Sequence, residues 1–348
     1  MIKKYTALLL VLLLIPAAAL GNGAIPYWSE ESPAMASIVS FVDAMTDESS
    51  PDYVMPENRV VLFDFDGTLY GERFPSYFDV VLMLARVLHD PDYQAPAEHL
   101  AHAQALEQAL FSHQGEPESP LSNSQISAEA FAGMTVDEYR AYIRRVMETP
   151  AWGFENMTYG EGFFLPMVAL VQYLWERDFR IFISSGSERI LVRELVRDRL
   201  GAWIAPSCVI GSTLSLKATA QGDKKARSYT LARDDQILLA GNLDVKNQKA
   251  SKVFSAVQEI GQVPVLVFGN SSGDLAMAQY ALQYGGRGYM LLCDDLRRDY
   301  GDLEVAEAFA KECEEMGLET ISMKDDFATI YGEHVRKTDE GEEEKPAA

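Results

Sequence analysis

Asp64 and Asp66 stand two residues apart in the stretch Asp64-Phe65-Asp66-Gly67-Thr68-Leu69. In an extended chain such residues point the same way, so both carboxylates can face one site while Phe65 packs away, and Gly67 permits a sharp turn directly afterwards. Two carboxylates so placed can divide labour, one attacking and one moving protons. Aspartates at a strand end are commonly just solvated; the apolar run before this pair and the Gly-Thr after it favour chemistry. A second stretch, Ser184-Ser185-Gly186-Ser187, offers hydroxyls and backbone amides between a strand and a helix start, a combination suited to anionic oxygens and equally usable as an ordinary helix cap. Lys246, Lys249 and Lys252 compete as a cation able to neutralise an attacking carboxylate; Lys252-Val253 opens an apolar helical pattern that runs to Gly261, which favours Lys252. The fourth stretch, Phe268-Gly269-Asn270-Ser271-Ser272-Gly273-Asp274, ends in an acid that can serve the same site or simply face a helix dipole.

The elements needed to bring these four stretches together are legible in the pattern. Arg59 to Phe63, Phe179 to Ile183 and Val263 to Phe268 are apolar runs of strand length, each ending at one of the chemical stretches. Helical periodicity separates them, near Pro166 to Glu176, Glu188 to Leu200, Lys252 to Ile260, and from Asp274. Alternation of strand and helix predicts an α/β fold, a Rossmann-like doubly wound parallel sheet covered on both faces, with ligands outside the carboxyl ends of its strands. Two β-rich stretches, Cys208 to Leu216 and Ser228 to Ala240, read as a hairpin extension; Tyr289 to Leu292 adds a strand, and Met35 to Met45 and Leu303 to Met316 add helices. Between the first and second chemical stretches, Tyr77 to Leu88 and Ala97 to Phe111 are helical, Thr135 with Glu138 forms a capping-box signature, and Ser112 to Ala128 reads as an exposed polar loop. This segment predicts an inserted all-helical domain.

Asp64 to Leu69 resembles the first motif of haloacid dehalogenase superfamily phosphatases, Asp-x-Asp-Gly-Thr, and the four stretches occur in that family's order. The resemblance implies that Asp64 attacks phosphorus to form an aspartyl phosphate and that Asp66 is the general acid and base. It implies Ser185 and Gly186 as phosphate ligands, with Ser184 a weaker candidate, Lys252 as the catalytic and phosphate-binding lysine, and Mg²⁺ held by Asp64, Asp66, Asn270 and Asp274. Asn270 replaces the first acid of the fourth motif; an amide oxygen still ligates Mg²⁺ while lowering the charge of the site. The insertion corresponds to the family's helical cap, and the likeness is to the phosphoserine phosphatase-like branch, with a fainter one to bacterial phosphorylcholine phosphatases. Glu72 and Arg73, entering the cap, are candidate substrate contacts, and Tyr77, Phe78, Trp152, Phe154 and Tyr159 are candidate aromatic walls that are equally core residues. Acidic and aromatic groups there would suit a cationic headgroup. The function so implied is Mg²⁺-dependent hydrolysis of small phosphomonoesters; the competing readings are a silent binding protein with this fold and a phosphotransferase to another acceptor.

Composition bounds the partners. With 52 acidic against 30 basic residues the net charge is −22, which excludes nucleic acid in the absence of a basic stripe. Lys3 and Lys4, an apolar run and Pro16 to Gly21 have the layout of a secretory signal, and the run of about 14 residues falls short of the roughly 20 that span a membrane. An exported location, periplasmic or extracellular, with no stable membrane span once the signal is removed, follows. The expected layout is a signal over 1–24, a core over 25–73 and 160–335, a cap over 74–159 and a disordered acidic tail over 336–348. Three scattered cysteines allow one bridge at most, and His99 with His102 reads as a solvated helix face.

Overall fold

The computed structural model describes residues 25–72, 76–111 and 121–338. The expected signal, Arg73, most of the expected polar loop and the acidic run beyond residue 338 lie outside the described residues.

Seven strands form one sheet: β1 (Val60–Phe63), β3 (Arg180–Glu188), β4 (Val209–Ala218), β5 (Ile237–Val245), β6 (Leu266–Gly269), β7 (Arg287–Leu292) and β8 (Glu319–Ser322). Their order is β5-β4-β3-β1-β6-β7-β8. Every neighbouring pair is parallel except β4 and β5. All four residues of β1 are buried, as a strand covered on both faces requires. Their alternation assigns the two faces. Val61 and Phe63 pack with Ile38 and Val42 of α1 (Pro33–Thr46), Leu170 and Leu174 of α6 (Leu165–Trp175) and Leu195 of α7 (Arg189–Arg199). Val60 and Leu62 pack with Ala256 of α8 (Ala250–Glu259), Ala278 and Ala281 of α9 (Leu275–Leu282) and Phe309 of α10 (Leu303–Glu315). The sheet is therefore doubly wound, as expected. The chain leaves β1 toward β3 and β4, then returns to the other side for β6, so the strand order reverses at β1 and the crevice of this fold opens at the carboxyl ends of β3, β1 and β6.

The segment between β1 and β3 carries α2 (Phe78–Leu84, continued by a wide π turn to His89), α3 (Ala97–Phe111), α4 (Asn123–Ala130) and α5 (Val136–Met147). The first three enclose their own small core of Val80, Met83, Ala103, Leu106, Ile126 and Ala130. Helix α5, with Tyr139, Ile143 and Met147 buried, joins the main core instead. Its expected capping box is formed: the Glu138 amide donates to Thr135 Oγ1 at 3.1 Å and the Thr135 amide to Glu138 Oε2 at 2.7 Å. The linker between α4 and α5 is stitched to the sheet edge: the Gly133 amide donates to the Leu239 carbonyl and the Leu239 amide to the Met134 carbonyl, both at 2.9 Å.

Several expectations are corrected. The polar loop ends earlier than expected, because Ile126 and Ala130, one helical turn apart, bury against α2 and organise α4. The second β-rich stretch is shifted, with β5 at Ile237–Val245, and it makes the sheet mixed by running antiparallel along its edge. Two short strands, β2 (Phe154–Glu155) and β9 (Arg336–Lys337), pair antiparallel, so the insertion segment is not wholly helical and the start of the expected tail is ordered against it. His99 and His102 are buried rather than solvated: His99 faces Glu129 at 3.3 Å and His102 contacts Asn123 at 2.7 Å, tying α3 to α4. All three cysteines are free.

Candidate active site

The amide of Asp64 donates to the Phe268 carbonyl at 2.8 Å, which joins β1 to β6 at the point where both strands end. Gly67 follows with φ of +76°, the left-handed region, and a Cβ there would overlap both the Asn270 amide and the Glu72 carboxylate. Glycine is therefore required twice over. The turn closes with the Gly67 amide on the Tyr70 carbonyl at 2.6 Å, and it returns Asp66 to the crevice beside Asp64.

Lys252, in the first turn of α8, is 4% exposed and donates to Asp64 Oδ1 at 2.5 Å and to Asp274 Oδ1 at 2.6 Å. Burial alone would lower its pKa, but the Asp274 and Asp64 carboxylates outweigh that and hold it above its ordinary value, so it stays an ammonium. Burial, followed by the charge of Asp274, pushes Asp64 up to about 7 against the opposing pull of Lys252. The other oxygen of Asp274 accepts from the amides of Asn270 and Ser271 and from Ser271 Oγ, each at 3.1 Å. Asp274 thus sits behind the lysine with both oxygens engaged and orders the loop after β6.

Asp66 Oδ2 accepts from Ser187 Oγ at 2.8 Å and from Ser185 Oγ at 3.3 Å, while its Oδ1 is buried with no hydrogen-bond partner. Burial first, then the charges of Asp79 and Asp64, raises its pKa well above the usual carboxylate range, which favours the proton-bearing form relative to an exposed aspartate. Asn270 donates from its amide nitrogen to Glu72 at 3.1 Å, leaving its oxygen for another partner.

Asp64, Asp66, Glu72, Lys252 and Asn270 line a cavity of about 120 Å³ together with Tyr77, Asp79, Gly186, Ser187, Lys246, Gln248, Ser271 and Gly273, whereas Asp274 is fully buried outside the lining. Asp64, Asp66, Glu72, Lys252, Asn270 and Gly186 are brought together as the sequence suggested. Ser185 lies one layer below the lining, fully buried, accepting from the Ser187 amide at 2.9 Å. Of the competing lysines, Lys249 is exposed at the start of α8 with φ of +52°, and Lys246 reaches the lining but not Asp64. Among the proposed aromatic walls only Tyr77 lines the cavity; Phe78, Phe154 and Tyr159 are core. The sequence placed Ser187 in the second chemical stretch without giving it a role of its own, and it gave no sign of Asp79 or Gln248. The one available signal was for Ser187, which lies two residues beyond Ser185 on the same strand; Asp79 depends on how α2 is docked.

Four carboxylates against two ammonium groups line the cavity, a donor set suited to a hard cation. Among the described residues no three carboxylate, imidazole or thiolate side chains converge as a metal cluster. A metal here would draw on the Asn270 amide oxygen and a main-chain carbonyl as well as on Asp64.

No family model matches the chain, and no curated protein matches it. Among solved structures it is similar to a protein of unknown function from Bordetella pertussis Tohama I, at a TM-score of 0.45 and 15% identity over 76% of this chain and 98% of that one. It is similar to a conserved protein of unknown function from Anaerococcus prevotii DSM 20548, at 0.49 and 14% over 83% and 91%. It is similar to cytosolic 5'-nucleotidase IIIB bound to cytidine, at 0.45 and 13% over 84% and 87%. At these levels the activity must be argued from the site. No helix among the described residues is long and apolar enough to cross a membrane.

Proposed function

We propose that this protein is an exported, Mg²⁺-dependent phosphatase of the haloacid dehalogenase superfamily, acting on small phosphomonoesters through an aspartyl phosphate on Asp64. The observation that carries the reading is the buried Asp64–Lys252–Asp274 chain, with Lys252 at 2.5 Å from Asp64 and 2.6 Å from Asp274, beside Asp66, which lines the same cavity as Asp64 and is held by the Ser187 and Ser185 hydroxyls. An Asp64 carboxylate oxygen bonds to phosphorus as the ester P–O bond breaks, and Asp66 gives its proton to the departing alcohol. Water then attacks the acyl phosphate, Asp66 takes a proton from it, and phosphate leaves with Asp64 regenerated. Lys252 offsets the repulsion between nucleophile and phosphoryl oxygens, and the irregular end of β3 at Gly186 and Ser187 receives those oxygens.

Asp64, the main-chain carbonyl of Asp66 and the Asn270 side-chain oxygen would hold Mg²⁺, whose contribution when bound is to neutralise phosphoryl charge. Asp274, both oxygens engaged, serves the lysine and the loop in this reading. Glu72, Tyr77 and Asp79 of the cavity lining would meet the substrate's non-phosphate portion. The direct test is p-nitrophenyl phosphate turnover by the full chain with Mg²⁺. Wild type releases product, chelation of the metal stops it, and Asp64→Asn loses about 10⁴-fold in kcat. A wild type that binds but never turns over phosphate esters would leave only the silent-binder reading. Transfer of phosphate to added alcohols in preference to water would make it a phosphotransferase.

A further inference from the structure

Asn247 lies outside every motif, yet it is fully buried against the irregular carboxyl-terminal half of β3, at Ser184 and Ser185. Its side-chain amide donates to Ser184 Oγ at 3.1 Å and to the Ser185 carbonyl at 3.0 Å, and its own backbone amide donates to Ser212 Oγ at 3.1 Å. Ser212 in turn donates to the Gly186 carbonyl at 2.6 Å, and Lys246 donates to that carbonyl at 3.0 Å and to Ser124 of α4 at 3.0 Å. Two successive carbonyls of β3 are thus engaged by residues from β4 and from the linker between β5 and α8. The register of β3 against β4 shifts between Ser184 and Glu188, so the regular sheet ladder does not fix this part of the strand.

The consequence follows from peptide planarity. In a trans peptide the carbonyl of Ser185 and the N–H of Gly186 point in opposite directions, so a donor holding the carbonyl also aims the N–H. Asn247 grips the buried side of that peptide, and Gly186 lines the cavity on the other. The carbonyl only accepts, which fixes the amide with its nitrogen toward Ser185 and leaves Asn247 Oδ1 buried without a partner. A residue kept for packing alone would be better served by leucine, which fills a similar space with no orphaned oxygen. We propose that Asn247 is a positioning residue that aims the Gly186 N–H at the phosphoryl oxygens.

This rests on the phosphatase reading and is tested separately from it. In the full chain, Asn247→Leu and Asn247→Asp are compared with wild type for KM and kcat on p-nitrophenyl phosphate, for calorimetric affinity toward inorganic phosphate, and for melting temperature. For Asn247→Leu, KM and the phosphate dissociation constant rise together by about tenfold, with a smaller change in kcat, because the ground state and the transition state both lose an aligned donor. Asn247→Asp is worse, since a carboxylate oxygen then faces the Ser185 carbonyl. A purely structural role would lower the melting temperature and leave both constants unchanged in the folded variants, and that result overturns the proposal. Should both variants fail to fold, Ser212→Ala loosens the neighbouring carbonyl and must raise the same two constants; unchanged values again overturn it. A wild type with neither turnover nor phosphate binding would sink the function and this inference together. An active wild type with an indifferent Asn247→Leu would sink this inference alone.

Discussion

The two walls of the cavity are built differently. On the sheet side, the groups at the ends of β1, β3 and β6 are cross-linked: Lys252 bridges two carboxylates, Asp274 accepts from the loop after β6, and Ser185 and Ser187 hold Asp66. On the insertion side, Tyr77 and Asp79 come from the start of a seven-residue helix, and Tyr77 is 43% exposed. A site that must stabilise one transition state needs the first kind of wall, because misplacement by about an ångström is costly there. The second kind can vary with the substrate at little cost to the chemistry. Under the proposed function, reaction class would therefore be set by the sheet and selectivity by the insertion.

The largest expected effect breaks the first wall. Lys252→Met leaves Asp64 and Asp274 buried and facing each other without a cation, so kcat should fall by about 10²- to 10³-fold and stability by about 3–5 kcal/mol. Steady-state kinetics and urea melts measure the two. A variant as active and stable as wild type would erase the contrast between the walls. On the other wall, Asp79→Asn should change KM by about tenfold or less, with a larger shift for amine-bearing phosphomonoesters than for neutral ones, and, because the Asp79 charge also raises Asp66, move the kcat–pH profile toward lower pH. Equal shifts across a substrate panel would remove Asp79 from selectivity. The smallest effect sharpens what the lysine does. Asp299 is buried with no cation partner, and burial raises its carboxyl to about 6 despite hydrogen bonds from the Tyr300 amide and the Tyr331 hydroxyl. Its contribution to stability is full below the unfolded pKa near 4 and disappears as pH rises through about 6, a difference of about 3 kcal/mol at most. Asp299→Asn should flatten that part of the stability curve, measured by melts on either side of it; an unchanged slope would refute the assignment.

Much of the sheet side was legible in the sequence, because its signals are local. Val60–Phe63 is an uninterrupted apolar strand, Gly67 marks a turn, and the apolar pattern opened by Lys252 singled out, of three lysines, the one that contacts Asp64. The misses have a common cause in long-range packing. Helix α4 forms from a polar, weakly patterned stretch because it is held between α2 and β5, and β9 exists only because Phe154–Glu155 offers it an edge. Asn247 was invisible for the same reason: its function depends on Ser184 and Ser185, 63 and 62 residues away in the chain. The two histidines of α3 were misread because their partners, Glu129 and Asn123, lie on that unforeseen helix.

The stitching of the α4–α5 linker to β5 has a kinetic meaning. Gly133 and Met134 share main-chain hydrogen bonds with Leu239, so a swing of the insertion as a separate flap would break both. A widening of the mouth either carries the β4–β5 ribbon along or gives up those two hydrogen bonds. Under the proposed function, product escape would thereby be coupled to the bending of a sheet edge, and residues far from phosphorus would have a say in turnover.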